Sequence, residues 1–230
     1  MNILILDTET GGLDPKSDPL VELGFVLWNV EARALVKARS LLIVSKTNEA
    51  ESINRIPCPL LMSHGEMRES AIADAKRLAD AADVLAAHNA DFDRGFLPEL
   101  ADRTWLDTKS DCEWPGVTLG ASLNETSLAL LGYAVRGHRA LADCLTLARC
   151  FEKTAELLEY VEGHAGFDKW LARALRPRAL FEVADKRFDE ARNAKAKELG
   201  FRWQPETKSW RKRLALDDAK KLPFEVRRVA

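Results

Sequence analysis

The sequence is sparing with cysteine and has no long apolar run. Cys58, Cys112, Cys144 and Cys150 are its only four cysteines. They form no Cys-x-x-Cys pair and have no histidine at zinc-ligand spacing, so they read as free thiols in a reducing cytoplasm. No stretch approaches the ~18 continuous apolar residues of a membrane span. The N-terminus lacks the basic region and apolar run of a secretory signal. A cytoplasmic protein with no membrane partner is therefore expected. There is no internal repeat and no low-complexity segment.

The 230 residues allow one sizeable domain and a small second module. The formal net charge is only -2, but it is unevenly spread. Residues 176–230 hold 16 Lys and Arg against 9 Asp and Glu, or +7, which leaves 18 against 27, or -9, for residues 1–175. An acidic body with a basic tail suggests that the two parts meet different things. The acidic body argues against broad phosphate binding, yet suits a carboxylate cluster that holds metal.

Ile3-Leu4-Ile5-Leu6 reads as a fully buried strand. Leu20–Val30 and Leu35–Val44 read as two more strands, antiparallel across a short connection. Asn48–Gly65, with two prolines, reads as irregular or briefly helical, and Ser70–Ala82 as a helix. Asp83–Ala87 is a further strand, Phe92–Ala101 a helix despite Pro98, and Thr104–Thr108 a fifth strand. Ser122-Leu123-Asn124-Glu125 fits a capping box that opens a helix closed by Gly132. Ala140–Val161 is helical, with a possible break near Lys153. Strands followed by alternating strands and helices predict an α/β fold with a mixed five-stranded sheet flanked by helices. The expected division is a domain over 1–166, a linker over 167–178, and a small α+β module over 179–230. In that module we expect a strand over 179–183, a helix over 188–199, and two strands around the 204–208 turn.

Three polar clusters stand where chemistry is plausible. Asp7 and Glu9, two apart at the end of the first strand, point to the same side and repel unless a cation holds them. A hard, oxygen-liganded ion such as Mg²⁺ or Mn²⁺ would do so; a solvated strand end is the plainer alternative. His88-Asn89-Ala90-Asp91-Phe92-Asp93 follows a buried strand, where open α/β sheets bind ligands. Asp91 and Asp93 also suit the first turn of a helix. Asp143 interrupts an apolar helical stripe, a costly place for an unpaired charge. His138, on the loop before it, suits a general base, unless it is simply an exposed loop histidine. Gly132–Gly137 has phosphate-loop spacing but continues His138-Arg139 rather than Lys-Ser/Thr. Ser63-His64 lacks an acid partner, and His64 and His164 stay unassigned.

Together, Asp7-Thr8-Glu9-Thr10-Gly11, His88-Asn89-x-x-Phe92-Asp93 and His138-x-Ala140-x-x-Asp143 resemble the DEDDh family of 3′→5′ exonucleases in order, spacing and context, over about residues 1–152. The resemblance implies a ribonuclease H-like fold and two Mg²⁺ or Mn²⁺ ions held by Asp7, Glu9, Asp93 and Asp143. It selects Asp93 over Asp91 and implies that His138 takes a proton from the attacking water. Thr8, Thr10, Gly11, Leu13, His88, Asn89 and Phe92 would lie near the terminal nucleotide. Trp105–Thr108, Trp114-Pro115 and Asp143-Cys144 are more similar to exonuclease X than to the replicative proofreading subunit. Lys46–Glu69 departs from the family pattern and carries no assignment. The implied substrates are 3′ ends of single-stranded or frayed DNA; RNA trimming by the same fold, or nucleic-acid binding without catalysis, are the alternatives.

In the tail, basic residues surround Phe201, Trp203 and Trp210. Arg202, Trp203, Lys208, Trp210 and Arg211 are candidate accessory contacts to a single strand. The same aromatics could instead form the core of the module. The stretch is similar to small tryptophan-containing accessory modules of phage and plasmid proteins, which fixes no function. A replication or repair partner through this module is a further expectation.

Overall fold

The aliphatic run at the N-terminus becomes the central strand of the first sheet. The computed structural model describes residues 1–134, 137–185 and 187–229. Strand β1 (Asn2–Thr10) pairs antiparallel with β2 (Leu20–Asn29) and parallel with β4 (Val84–Ala87). β3 (Ala34–Leu42) and β5 (Trp105–Asp107) lie at the edges, in the order β3-β2-β1-β4-β5. β2 and β3 form the expected antiparallel hairpin. Ile3, Leu4, Ile5 and Leu6 are at most 1% exposed because both faces of β1 are covered, which is why the run shows no alternation.

The two faces have different covers. Leu4 and Leu6 join a core with Ala71, Ile72, Ala75 and Leu78 of helix α3 (Arg68–Ala79). Two short helices, α1 (Glu51–Asn54) and α2 (Cys58–His64), precede it. On the other face, Trp28 of β2 stacks on Phe151 of the long helix α6 (Ala140–Glu162), ring centroids 5.5 Å apart. Successive side chains of a strand alternate between faces, so Ile3, Ile5, Asp7 and Glu9 share one side and Leu4, Leu6, Thr8 and Thr10 the other.

Several expectations need correction. Helix α4 (Ala90–Phe96) ends before Leu97, and Pro98–Leu100 is a separate 3₁₀ turn. Proline lacks the N–H to continue the helix and biases the residue before it toward extended backbone. Helix α6 runs unbroken through Lys153, whose ion pair with Glu156 lies on its solvated side. Helix α5 (Leu123–Leu131) carries the expected capping box: Glu125 N donates to Ser122 Oγ and Ser122 N to the Glu125 carboxylate.

The stretch expected as a linker, 167–178, instead begins inside helix α7 (Gly166–Ala174). Phe167, Trp170, Leu171 and Ala174 are buried, Phe167 stacks on Trp170 at 5.5 Å, and Trp170 Nε1 donates to the Glu113 carbonyl at 2.7 Å. A buried aromatic face of this kind belongs to a core. The first unit accordingly spans Met1–Ala174 and the second Leu175–Ala230.

The second unit has a four-stranded antiparallel sheet, ordered β7-β8-β6-β9: β6 (Arg178–Val183), β7 (Arg202–Gln204), β8 (Ser209–Ala215) and β9 (Val226–Arg228). Helix α8 (Glu190–Glu198) and the short α9 (Leu216–Ala219) accompany it. β9 and α9 were not foreseen. Phe181, Val183, Ala196, Phe201, Leu214 and Ala219 form its core. Among the described residues no helix is long and apolar enough to cross a membrane, and all four cysteines are free thiols.

Candidate active site

The C-terminal end of β1 opens into a cavity of about 630 Å³. It gathers all twelve residues that the sequence placed at the site: Asp7, Thr8, Glu9, Thr10, Gly11, Leu13, His88, Asn89, Phe92, Asp93, His138 and Asp143. β1 supplies Asp7 and Glu9, the α4 start supplies Asp93, and the first turn of α6 supplies Asp143. One carboxylate oxygen from each of Asp7, Glu9 and Asp143 lies within 4.8 Å of the other two. Asp93 stands outside that trio. Its Oδ1 accepts from Thr8 N at 2.9 Å and Thr8 Oγ1 at 2.8 Å, which fixes its carboxylate against β1.

Crowding and burial make these acids reluctant to ionise together. Burial raises the Asp7 carboxyl well above its ordinary value, and Asp93, Asp143, Glu9 and Glu22 add to the effect. Glu9 is pushed up to about 8, first by burial and then by Asp143 and Glu22, against the pull of Arg139. Burial pushes Asp93 up to about 7 despite the Thr8 hydrogen bonds. Asp143 is raised by burial, partly offset by the His138 amide, which donates to its Oδ2 at 2.9 Å. Converging hard oxygen donors that repel one another fit a divalent cation of the Mg²⁺ or Mn²⁺ type.

The two histidines at the cavity differ. His88 is bracketed, Nδ1 at 3.1 Å from Thr108 Oγ1 and Nε2 at 3.0 Å from the Ala121 carbonyl. A carbonyl only accepts, so Nε2 carries a proton there, and burial lowers the ring's pKa toward the neutral form. With both nitrogens engaged, His88 offers the cavity its ring rather than a base. His138 is exposed at the rim, and its backbone is left-handed at φ 71°. Asn89 is also left-handed, at φ 97° with its amide donating to Asp107 Oδ1, so two strained residues flank the site.

Further residues of the site are not singled out by the sequence. Glu22 pairs with Glu9 across β1 and β2 and is 1% exposed. It accepts from Arg139 Nε at 3.0 Å and Nη2 at 3.1 Å, and from Ala140 N at 3.1 Å, so it clamps the start of α6 to the sheet. Gly24 lies opposite Asp7, and a Cβ there would meet Ala140 C at 2.3 Å and Leu141 N at 2.4 Å. Only glycine lets α6 approach closely enough to bring Asp143 to β1. Among the described residues that line the cavity, Lys109 is the one Lys or Arg. Glu49 and Ile53, from the stretch left unassigned, also line the cavity. The sequence does not show what Glu22 and Gly24 do for α6, because Arg139, Ala140 and Leu141 lie more than a hundred residues away.

In the second unit the five candidate contacts divide. Trp203 pairs with Trp210 across β7 and β8, and Arg202 with Arg211, so by alternation the tryptophans and the arginines occupy opposite faces. Arg211 Nη2 donates to the buried Glu182 at 3.1 Å, and Arg227 pairs with the same carboxylate. Trp203, Lys208 and Trp210 line a second, smaller cavity.

Comparison with solved structures gives the first unit's architecture a wider setting. Exonuclease X in complex with 5′ overhanging duplex DNA is 24% identical, with a TM-score of 0.51, over 75% of this chain and 99% of that one. The zinc-bound complex of E. coli Exonuclease I with single-stranded DNA is 16% identical, with a TM-score of 0.57, over 86% and 50%. The nuclease domain of 3′hExo, a DEDDh family member bound to rAMP, is 16% identical, with a TM-score of 0.53, over 67% and 92%. The fold is that of the DEDDh exonucleases. The ribonuclease H-like sheet expected from the sequence is therefore present. Among curated proteins, the PolC-type DNA polymerase III of Thermotoga maritima is 26% identical over 174 residues, which is 69% of this chain but only 12% of the polymerase. Residues 189–229 match a family model described as a domain of unknown function (DUF8626), which falls within the second unit and outside the DEDDh fold.

Proposed function

We propose that the first unit is a 3′→5′ exonuclease that hydrolyses the terminal phosphodiester of single-stranded or frayed DNA and releases nucleoside 5′-monophosphates. The observation that carries this reading is the convergence of Asp7, Glu9 and Asp143 beside Asp93 and His138 in one cavity. Asp7, Glu9, Asp93 and Asp143 would hold two divalent cations, Mg²⁺ or Mn²⁺. The chemistry such ions supply when bound is charge neutralisation at the phosphate and stabilisation of the attacking and leaving oxygens.

The residues of the chain do the rest. His138 takes the proton of the attacking water as its oxygen bonds to phosphorus. The P–O3′ bond breaks, and the leaving O3′ takes a proton from solvent to become the 3′-hydroxyl of the shortened strand. Thr8 holds Asp93 in place, and Glu22 and Arg139 hold the start of α6, hence Asp143. Gly11 and Leu13 border the cavity with Thr10, whose hydroxyl is committed to the Gly12 carbonyl at 2.6 Å. With His88, Asn89 and Phe92 they would bound the terminal nucleotide. Lys109 is the cation suited to a flanking phosphate. The DNA in two of the similar structures supports a DNA substrate, and the rAMP in a third supports RNA as a second substrate of the same chemistry. All five residues of the catalytic set are present, which argues against an inactive binding protein.

The test is to incubate the protein with 5′-labelled DNA and RNA single strands, with Mg²⁺ or with EDTA. Mg²⁺-dependent shortening is expected on DNA. Undiminished hydrolysis in EDTA would overturn the reading.

A further inference from the structure

We infer that the second unit carries a site for one nucleobase and its neighbouring phosphate in single-stranded nucleic acid, built between the start of α8 and the β7–β8 hairpin. A cavity of about 130 Å³ lies there. Its aromatic walls are Trp203 and Trp210, which meet edge to face with ring centroids 5.7 Å apart, and Phe188. Trp203 is 47% exposed and Phe188 86% exposed. The unit's buried core is made by other residues, Phe201 and Phe181 among them, so these two rings are not spent on folding. Large aromatic faces left in water beside a cavity mark a binding surface more often than a packing error.

The polar lining indicates what binds. Arg187, Arg192 and Lys208 line the cavity together with one carboxylate, Asp185, which pairs with both arginines. Three cations against one anion leave the cavity net positive, and Asn193 adds an amide that can both donate and accept toward a base edge. Lys208 sits in the hairpin turn with a left-handed backbone, φ 47°, which places it at the end of the strands that carry the tryptophans. Aromatic faces give sequence-tolerant stacking, and the cations neutralise the phosphate, the combination used to hold single strands.

Charge distribution gives this site a purpose. Residues 1–175 carry a net charge of -9, whereas residues 176–230 carry 16 basic against 9 acidic residues, so a polyanion is attracted more strongly to the second unit. A strand captured by the basic unit is held at high local concentration for the acidic one. This inference rests on the proposed function only for the choice of ligand.

The experiment uses the full chain in EDTA, where binding is read without hydrolysis, so it stays informative even if the first unit proves inert. Fluorescence anisotropy would follow a labelled oligo-dT of about 20 nucleotides, long enough to reach beyond a single site. Trp203→Ala is expected to weaken binding about tenfold, with most of the affinity kept in Trp203→Phe. Lys208→Glu should weaken binding and make the salt dependence shallower by about one phosphate contact. Affinity unchanged in both Trp203→Ala and Lys208→Glu would overturn the inference. So would inorganic polyphosphate that loses as much affinity as oligo-dT in Trp203→Ala, since it has no base to stack.

Discussion

Removing divalent cations should make the stability of the first unit fall as pH rises, and the carboxylate cluster sets the size of that effect. Glu9 is raised from 4.5 to about 8 and Asp93 from 3.8 to about 7, with Asp7 and Asp143 raised as well. A carboxyl whose folded pKa exceeds its unfolded value keeps its proton in the folded state after the unfolded chain has lost it. Stability is therefore greatest below the unfolded pKa and declines as pH climbs toward the folded one. For Glu9 alone, each unit of pH inside that window costs about 1.4 kcal/mol, so moving from about pH 5.5 to about pH 8 removes roughly 3 kcal/mol. In a unit of this size that is a fall of roughly 6–12 °C in melting temperature. The other acids share the same field and do not add independently.

The assay is a thermal melt of the full chain in EDTA at several pH values, repeated with saturating MgCl₂. Mg²⁺ should restore most of the loss near the alkaline end and little near the acidic end, because protons and cations compete for the same oxygens. Glu9→Gln should flatten the EDTA curve and raise the alkaline melting temperature above that of the wild type. A melting temperature in EDTA that rises or stays level across the window would refute the reasoning, as would a Mg²⁺ effect equal at both ends.

Gly24→Val would force the sheet and the start of α6 apart; we expect a loss of about 1–3 kcal/mol by overpacking, and a much weaker Mg²⁺-induced rise in melting temperature even in protein that stays folded. Glu22→Ala leaves the Ala140 amide without its acceptor and Arg139 without its partner, so a loss of about 2 kcal/mol should come with a lower kcat, and Glu22→Gln should recover part of both. Lys109→Ala should raise KM for single strands several-fold and reduce its salt dependence by about one contact, leaving kcat nearly unchanged, with Lys109→Arg close to the wild type.

Much of this site was readable in the chain because its signals are local. Asp7 and Glu9 alternate at the end of an aliphatic strand, and a strand places such residues on one side whatever surrounds it. The Ser122–Glu125 capping box is likewise complete within four residues and appears as expected. Helix α7 is not legible as core from the sequence because the partners of Phe167 and Trp170 lie far away at Trp28, Trp114 and Phe151. β9 was missed because Val226-Arg227-Arg228 has one apolar residue, and it pairs with β6, more than forty residues earlier. Glu22 and Gly24 act across 117 and 116 residues, on Arg139 and Ala140. A carboxylate and a glycine inside an apolar strand are visible in the sequence, but what each touches is set by tertiary packing alone.

The most direct measurement is the product released from a single-stranded DNA carrying labels at both ends. The 3′-terminal label should leave first, as a nucleoside 5′-monophosphate, while the 5′ label stays on a shrinking ladder. That release should disappear in Asp7→Ala and drop sharply in His138→Ala. Release from the 5′ end, internal cuts, or full activity in Asp7→Ala would contradict the account.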